Sequence, residues 1–326
     1  MEGWVTYSKS ITIPLSRACL YYCLYCAFRE DGVGLIPGGE LDRLIYRARM
    51  DGYSEALLMS GERPEGRDEV REELKALGFK DFIDFALALS FRLLKEGLLP
   101  HTNIGCLNYE ELERLKEANA SMGLMLENIN AEFGKRVHPQ KDISARLKTI
   151  ESAGMLKIPF TTGILIGLGE SQEDRINSLK AIAETHKRYG HIQEIIIQPY
   201  TPNSRSRLIP HPPAFEELIE LVVTSRRIMP DVVVQIPPNL TPRWLELIPY
   251  GAGDLGGISK EGDLINPENP WEGEEDYARL LMERGYRLKR RLPIYKRFYK
   301  MGWYSKAVKP TLESWVHKAE FEYYKE

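Results

Sequence analysis

The stretch Cys19-Leu-Tyr-Tyr-Cys23-Leu-Tyr-Cys26 places three thiols within eight residues, directly after the short apolar segment Ile11-Thr-Ile-Pro-Leu15. A cluster of four irons and four sulfides takes four ligands, and cysteine thiolates are the usual ones. Three cysteines leave one iron open to another ligand, which suits a catalyst better than an electron carrier. The spacing therefore indicates a catalytic iron–sulfur cluster behind the first strand of the fold.

Two other interpretations of these cysteines remain open, a zinc site and inert thiols. Structural zinc sites usually pair their ligands, with a second pair further along the chain. The only other cysteine is Cys106, which stands alone in Ile104-Gly-Cys-Leu107, and we expect it to be a small buried residue rather than a ligand. Four cysteines in 326 residues, with no expected signal peptide, do not suggest a disulfide-bonded secreted domain.

The composition favours a soluble, cytoplasmic protein. Hydrophobic residues make up 43% of the chain and the formal net charge is −3, so the overall charge indicates neither a nucleic-acid nor an anionic-membrane partner. No apolar run reaches the roughly 18 residues that a membrane span requires. We therefore expect no nucleic-acid partner and no membrane association.

Short apolar segments alternate with longer amphipathic segments along most of the chain, as in folds with a parallel sheet covered by helices. The predicted strands are 11–15, 55–60, 99–104, 122–127, 160–167, 194–200, 232–236 and 254–259. The predicted helices are 67–96, 109–118, 143–153, 173–189 and 215–229. Eight such units predict a TIM-type (β/α)8 barrel, with an open doubly wound sheet as the alternative.

Polar and glycine-rich residues follow or end most of the predicted strands. In barrel enzymes the chemistry lies at the carboxyl ends of the strands. Residues at these ends are the three cysteines, segment 60–65, His101, Asn103, Glu127, segment 167–170, Gln198, Tyr200 and Asn239. Their positions predict a single active site at this end of a barrel.

The pattern changes after about residue 266. We predict a barrel domain over 5–265 and a C-terminal helical extension over 266–326 that packs on it. A turn-rich link at 266–271 precedes a predicted helix at 274–291, and 303–326 is predicted as a terminal amphipathic helix. The basic segment 287–300 is interpreted as a solvated face of a packed helix, in preference to an RNA contact.

The CxxxCxxC spacing, with Tyr25 before the last cysteine, resembles the signature of the radical S-adenosylmethionine (SAM) superfamily. The resemblance implies a 4Fe–4S cluster on Cys19, Cys23 and Cys26, whose fourth iron binds SAM through its amino and carboxylate groups. It also implies reductive cleavage of SAM to methionine and a 5′-deoxyadenosyl radical, which takes a hydrogen atom from the substrate. Tyr25 would then lie close to the adenine.

Further segments resemble the SAM-binding segments of the same superfamily. Ser60-Gly61-Glu62 is similar to the glycine–glycine–glutamate segment that receives the methionine amino group, with Ser60 in place of a glycine. By the same resemblance, Glu127 would bind the ribose hydroxyls and Arg146 the methionine carboxylate. Segment 163–170 resembles a GxIxGxxE segment, in which bare backbone at Gly163 would admit the adenine.

Within the superfamily, several segments resemble the CofG-type subunit of FO synthase, namely 97–103, 119–127, 157–167, 190–198, 237–240 and 254–259. This implies conversion of 5-amino-5-(4-hydroxybenzyl)-6-(D-ribitylimino)-5,6-dihydrouracil to 7,8-didemethyl-8-hydroxy-5-deazariboflavin (FO), with loss of ammonia, in coenzyme F420 biosynthesis. A CofH-type partner subunit would supply this substrate, and an external one-electron donor would reduce the cluster.

Candidate substrate contacts follow from position and polarity alone: His101, Asn103, Gln198, Tyr200 and Asn239. No catalytic acid or base is assigned. Two alternatives remain for the function. The first is another radical enzyme of this barrel type, such as the CofH-type partner or a menaquinone-pathway homologue. The second is a non-enzymatic iron–sulfur binding module.

Overall fold

The computed structural model describes residues 3–325, in which eight parallel strands pair in chain order and close on themselves, because the first strand also pairs with the second. The barrel strands are β1 (Trp4–Ser16), β2 (Glu55–Ser60), β3 (Leu99–Asn103), β4 (Ser121–Gly123), β5 (Phe160–Ile166), β6 (Ile192–Pro199), β7 (Val233–Gln235) and β8 (Ala252–Ile258). The predicted TIM-type barrel is confirmed, and the open sheet is excluded.

Helices follow the strands on the outside of the barrel. They are α1 (Gly38–Met50), α2 (Asp68–Ala76), α3 (Phe82–Lys95), α4 (Tyr109–Lys116), α5 (Ala131–Val137), α6 (Ile143–Met155), α7 (Gln172–Tyr189) and α8 (Phe215–Ile228). Local signals set several of these ends. Ser171 caps the start of α7 through the Asp174 amide, and Gly190 ends that helix with a φ of 66°.

The single predicted helix at 67–96 is wrong, because the chain forms two helices there. Gly78 has a φ of 79°, which ends α2 in the left-handed region that glycine adopts readily. Asp81 then starts α3 by accepting a hydrogen bond from the Asp84 amide. The helix α1 and the short helix α5 were not predicted at all.

The predicted C-terminal elements are also wrong in part. The helix predicted over 274–291 ends early as α9 (Glu274–Met282), and Gly285, with a φ of 80°, leads into an added strand β9 (Arg287–Arg291). This strand pairs in parallel with the start of β1, from Trp4 to Ser8. The terminal segment holds α10 (Lys296–Lys300), α11 (Lys309–Val316) and a 3₁₀ turn rather than one long helix.

The extension has an apolar core of its own against the barrel. Phe298, Leu312, Trp315 and Phe321 pack with Leu94 of α3. The extension is therefore held by packing as well as by strand pairing.

The division of the chain into domains at 265/266 stays a prediction. Within residues 3–325, no helix has the length and apolar character needed to cross a bilayer.

The extension also closes the amino-terminal end of the barrel with a buried charge cluster. The Arg291 guanidinium donates to Asp254 at 2.6 Å and to Glu194 at 2.9 Å, and the Tyr295 hydroxyl donates to Glu194 at 3.0 Å. Thr6 donates to the same aspartate at 2.5 Å. Buried carboxylates require such partners, and Arg291 of β9 is the cation that pairs with these two acidic side chains of the barrel.

We expect Glu194→Gln to change the pH dependence of stability. Burial and repulsion from Asp254 raise the pKa of Glu194 from 4.5 to about 8, although Arg291 favours the charged form. The protonated carboxyl therefore stabilises the fold at low pH, and this contribution is lost as the pH rises toward 8. Between about pH 5 and about pH 8, the free energy of unfolding of the wild type should therefore fall by on the order of 3 kcal/mol relative to that of Glu194→Gln.

Thermal or denaturant unfolding at several pH values measures this difference. The control is Glu184→Gln, an exposed glutamate on α7, which should leave the wild-type pH profile unchanged. Parallel pH profiles of the wild type and Glu194→Gln would contradict the assignment of a retained proton to Glu194.

Candidate active site

The carboxyl ends of the strands surround a cavity of about 210 Å³. Most of the residues predicted as metal or cofactor contacts line it: Cys19, Cys23, Cys26, Tyr25, Ser60, Gly61, Glu62, Glu127 and Arg146. Gly163 is the exception, since it does not line this cavity. The fold therefore brings side chains from the loop after β1, the end of β2 and α6 together at one place.

Hydrogen bonds hold the cysteine loop at both the sulfur and the backbone carbonyl of Cys19. The Cys19 sulfur accepts hydrogen bonds from the amides of Tyr21 at 3.3 Å and Glu62 at 3.2 Å. The Arg67 guanidinium holds the Cys19 carbonyl through two hydrogen bonds of 2.9 and 2.8 Å. Burial raises the pKa of the Cys19 and Cys23 thiols, the latter to about 11. Burial by itself therefore opposes ionisation of these thiols, which the positive charge of a metal centre would offset. The donor set fits an iron–sulfur cluster because all three cysteines line one cavity and thiolates are its usual ligands.

Gly61 allows the cysteine loop to approach the end of β2. A β-carbon at this position would lie 2.0 Å from the Ala18 carbonyl oxygen and 2.6 Å from the Cys19 β-carbon. Only glycine fits between these atoms. Gly61 therefore positions the first cysteine, in addition to its predicted place beside a cofactor.

Arg146 links two buried carboxylates across the cavity. Its guanidinium donates to Glu62 at 3.0 Å, to Glu127 at 3.2 Å and to the Met125 carbonyl at 2.9 Å. Burial opposes ionisation of both glutamates, but the neighbouring cations prevail. Arg146 holds the pKa of Glu62 below its usual value, and Lys141 with Arg146 lowers that of Glu127 to about 2. Both side chains are therefore carboxylates at neutral pH.

Lys141 is a site residue that the sequence reasoning missed. Its ammonium donates to Glu127 at 2.5 Å and to the Tyr25 hydroxyl at 2.9 Å, and that hydroxyl in turn donates to Glu127. Lys141 lies in the loop before α6, among other polar residues, where nothing in the local pattern marks it. Only the folding of this loop over the cavity reveals its position.

The prediction that Glu127 ends the fourth strand is wrong. β4 ends at Gly123, and Glu127 forms an isolated bridge with Ile164 of β5, with a left-handed φ of 69°. Its amide donates to the Gly163 carbonyl at 3.0 Å. Gly163 thus holds Glu127 through its backbone, and a β-carbon there would lie 2.3 Å from the Ile196 carbonyl oxygen.

A second cavity, of about 180 Å³, continues from the first into the barrel lumen. The two share lining residues, among them Asn103 and Gln198. His101 and Asn239 line only the lower cavity, while Tyr200 lines only the upper one. The Tyr200 hydroxyl is hydrogen-bonded to Ser206 at 2.5 Å and to the Leu208 carbonyl at 3.2 Å, so it is already engaged by its own loop.

Comparison with known proteins first defines the class. The profile of the Radical SAM superfamily matches residues 13–182, and the chain belongs to this superfamily. The FeFe-hydrogenase maturase HydG from Carboxydothermus hydrogenoformans shares the fold, with a TM-score of 0.69 at 19% identity over 98% of this chain and 76% of that one. Methylornithine synthase also shares the fold, with a TM-score of 0.67 at 16% identity over 88% of this chain and 84% of that one.

Relatives that align over nearly their whole length identify the family within this superfamily. A protein of Archaeoglobus fulgidus named 7,8-didemethyl-8-hydroxy-5-deazariboflavin synthase is 45% identical over 95% of this chain and 96% of its own length. A protein of the same name from Methanopyrus kandleri is 39% identical over 95% of this chain and 97% of its own length. The chain belongs to the 7,8-didemethyl-8-hydroxy-5-deazariboflavin synthase family. The predicted family and the prediction of an enzyme are confirmed, and the main interpretation is favoured over its alternatives.

Proposed function

We propose that this protein is the FO synthase subunit that converts 5-amino-5-(4-hydroxybenzyl)-6-(D-ribitylimino)-5,6-dihydrouracil to 7,8-didemethyl-8-hydroxy-5-deazariboflavin, with loss of ammonia, in coenzyme F420 biosynthesis. The observation that carries this proposal is the convergence of the three loop cysteines with Glu62 and Arg146 on one cavity that opens into the lumen. The names of the full-length relatives supply the product.

Cys19, Cys23 and Cys26 would hold a 4Fe–4S cluster, and SAM would complete the coordination of its fourth iron. When bound, these groups supply the one-electron chemistry that removes a hydrogen atom from the substrate. The hydrogen bonds that hold the cysteine loop, and the position of all three thiols on one cavity wall, support this assignment. An external one-electron donor is required, and a CofH-type partner subunit would supply the substrate.

The buried charges around the cavity suit the methionine end of SAM, which carries an amino group, a carboxylate and a sulfonium. Glu62 would accept a hydrogen bond from the amino group, while Arg146 would pair with the carboxylate. Glu62 and Arg146 already lie in a charge-balanced set with Glu127 and Lys141, so the carboxylate and the sulfonium together would add no net charge to the buried cluster.

The nucleoside end of SAM would lie on the other side of the same cavity. Glu127 would bind the ribose hydroxyls and Tyr25 would lie beside the adenine, while Ser60 and Gly61 border the cofactor. Gly163 would act through the backbone contact that fixes Glu127. Each of these contacts is a proposal from position and chemistry.

The decisive experiment is anaerobic reconstitution of the cluster, followed by incubation with SAM, a reductant and the product of the partner enzyme. Deazaflavin fluorescence that rises together with 5′-deoxyadenosine is the expected result. Formation of 5′-deoxyadenosine without deazaflavin would retain the superfamily and overturn the proposed substrate. Absence of SAM cleavage in a protein with a full iron complement would contradict the proposed chemistry.

Asn103→Ala is expected to lower kcat/KM for the substrate by about tenfold, the effect of one lost hydrogen bond in a buried site. Asn103 ends β3 where the upper cavity meets the lumen, so its carboxamide lies between the predicted cofactor and substrate positions. Steady-state deazaflavin formation measures the change. Asn177→Ala, on the outer helix α7, is the matched control, and an Asn103→Ala enzyme with wild-type turnover and substrate affinity would contradict the role.

A further inference from the structure

The lumen below the cysteine-lined cavity contains several polar side chains among apolar ones such as Leu57 and Ile196. Barrel interiors are usually filled with branched apolar side chains. Here the lower cavity is lined by side chains that can donate or accept hydrogen bonds: Thr12, Glu55, His101, Thr161, Gln193, Glu194, Gln235 and Arg291. A cavity with this lining is suited to a ligand with many hydrogen-bonding groups of its own.

The inward residues lie at successive depths. On β6, Glu194, Ile196 and Gln198 all face the lumen, and alternate residues of a strand are about 6.6 Å apart. Thr161 pairs in register with Glu194, and Gln235 pairs with Ile196. Glu194 with Thr161 therefore forms the lower level, Gln235 the middle level and Gln198 the upper level beside the cysteine cavity.

Several of these polar groups remain available to a ligand. Within residues 3–325, neither Gln198 nor Gln235 makes a side-chain hydrogen bond to the protein. The Nδ1 atom of His101 is hydrogen-bonded to Ser121 at 2.7 Å, and burial lowers the pKa of this histidine. Its neutral ring therefore has Nε2 left to donate or accept. Buried polar groups are normally paired, so these groups favour a bound polar ligand.

We propose that the middle and lower levels of the lumen bind the ribityl chain of the substrate, which leaves its two rings at the upper level beside the cofactor. This assignment rests on the proposed function. Hydroxyl groups both donate and accept, which matches the mixed carboxamide, hydroxyl and imidazole lining. The level spacing of about 6.6 Å is close to the length of an extended five-carbon chain.

The two ends of the lower cavity differ in a way that supports this orientation. The upper rim carries Met59, Met125, Leu240 and Trp271, which suit flat rings. The base carries Glu194 beside the ion pair of Arg291 with Asp254. A neutral polyol adds no charge there, whereas a chain that ends in a phosphate would bring an uncompensated charge into this buried base, where Arg291 is already paired. The lumen therefore selects an unphosphorylated chain.

The test compares the natural substrate with an analogue in which an ethyl group replaces the ribityl chain. For the wild type, we expect kcat/KM to favour the ribityl compound. In Gln235→Leu this preference should fall by about three- to tenfold, the effect of one hydrogen bond. The Thr161 hydroxyl already donates to Glu194 at 3.2 Å and accepts from Gln193 at 3.3 Å, so in Thr161→Val the fall should be about threefold, from its one remaining acceptor site. Thr162→Val is the matched control, because Thr162 points away from the lumen on the same strand and should leave the preference unchanged.

A second readout does not depend on turnover. Calorimetric binding of a ribityl-aminouracil to the reconstituted enzyme with SAM should weaken in the two lumen variants, and a 5-phosphate on the chain should weaken wild-type binding at least about tenfold. Iron content and SAM cleavage without substrate verify that each variant keeps a folded site. An unchanged preference together with unchanged binding would overturn the assignment. If the wild type forms no deazaflavin but ribityl binding depends on Gln235 and Thr161, the proposed function fails and the lumen assignment stands.

Discussion

Replacement of Cys19, Cys23 or Cys26 by alanine is expected to abolish the iron–sulfur cluster, and with it all formation of 5′-deoxyadenosine and deazaflavin. Each thiolate would hold a different iron, so no remaining cysteine of the loop can substitute for the one removed. Iron and sulfide analysis and visible absorption after anaerobic reconstitution measure the cluster directly. Product formation should fall below detection in each variant.

Cys106→Ala is the matched control for this series. Cys106 lies behind Glu62 and Arg146, with its sulfur 4.0 Å from the Arg146 guanidinium and its amide donating a hydrogen bond to Glu62 at 3.2 Å. It does not line the cavity with the other three cysteines. Full iron content is expected in Cys106→Ala, and a loss of iron there would contradict a cluster held by three cysteines.

Arg146→Met is expected to lower the free energy of unfolding by about 3 to 5 kcal/mol and to abolish SAM cleavage. Arg146 is almost fully buried and pairs with Glu62 and Glu127, so its removal leaves two buried carboxylates with only Lys141 nearby. The same guanidinium is the proposed partner of the methionine carboxylate. Unfolding curves and 5′-deoxyadenosine formation measure the two effects separately.

The control for this change is Lys148→Met on the same helix, where the lysine is exposed and stability should change little. The double variant Arg146→Met/Glu127→Gln removes one of the two carboxylate charges that lose Arg146 as their partner. It should regain part of the lost stability without regaining SAM cleavage. If Arg146→Met unfolds like the wild type, the buried ion network is not the stabilising feature described here.

Much of the barrel could be predicted because most of its strands and helices have a local signal. The fully buried run of β5 and the capped start of α7 are examples, and both lie close to their predicted bounds. The C-terminal extension could not be predicted in the same way. The segment Arg287–Arg291 is basic and has no apolar face, so nothing local identifies it as a strand. It becomes β9 only because the start of β1 offers it a free edge.

The sequence by itself determined the barrel and the family and predicted the cluster ligands, because three cysteines in one loop and the alternation of strands and helices are local patterns. Tertiary structure decided the rest of the site. Lys141 reaches Glu127 only when its loop folds over the cavity. Thr161, Glu194 and Gln235 meet in the lumen because each strand turns alternate side chains inward, and a shift of one residue would turn them outward. Arg291 joins them from the extension, through a strand pairing that no local pattern encodes.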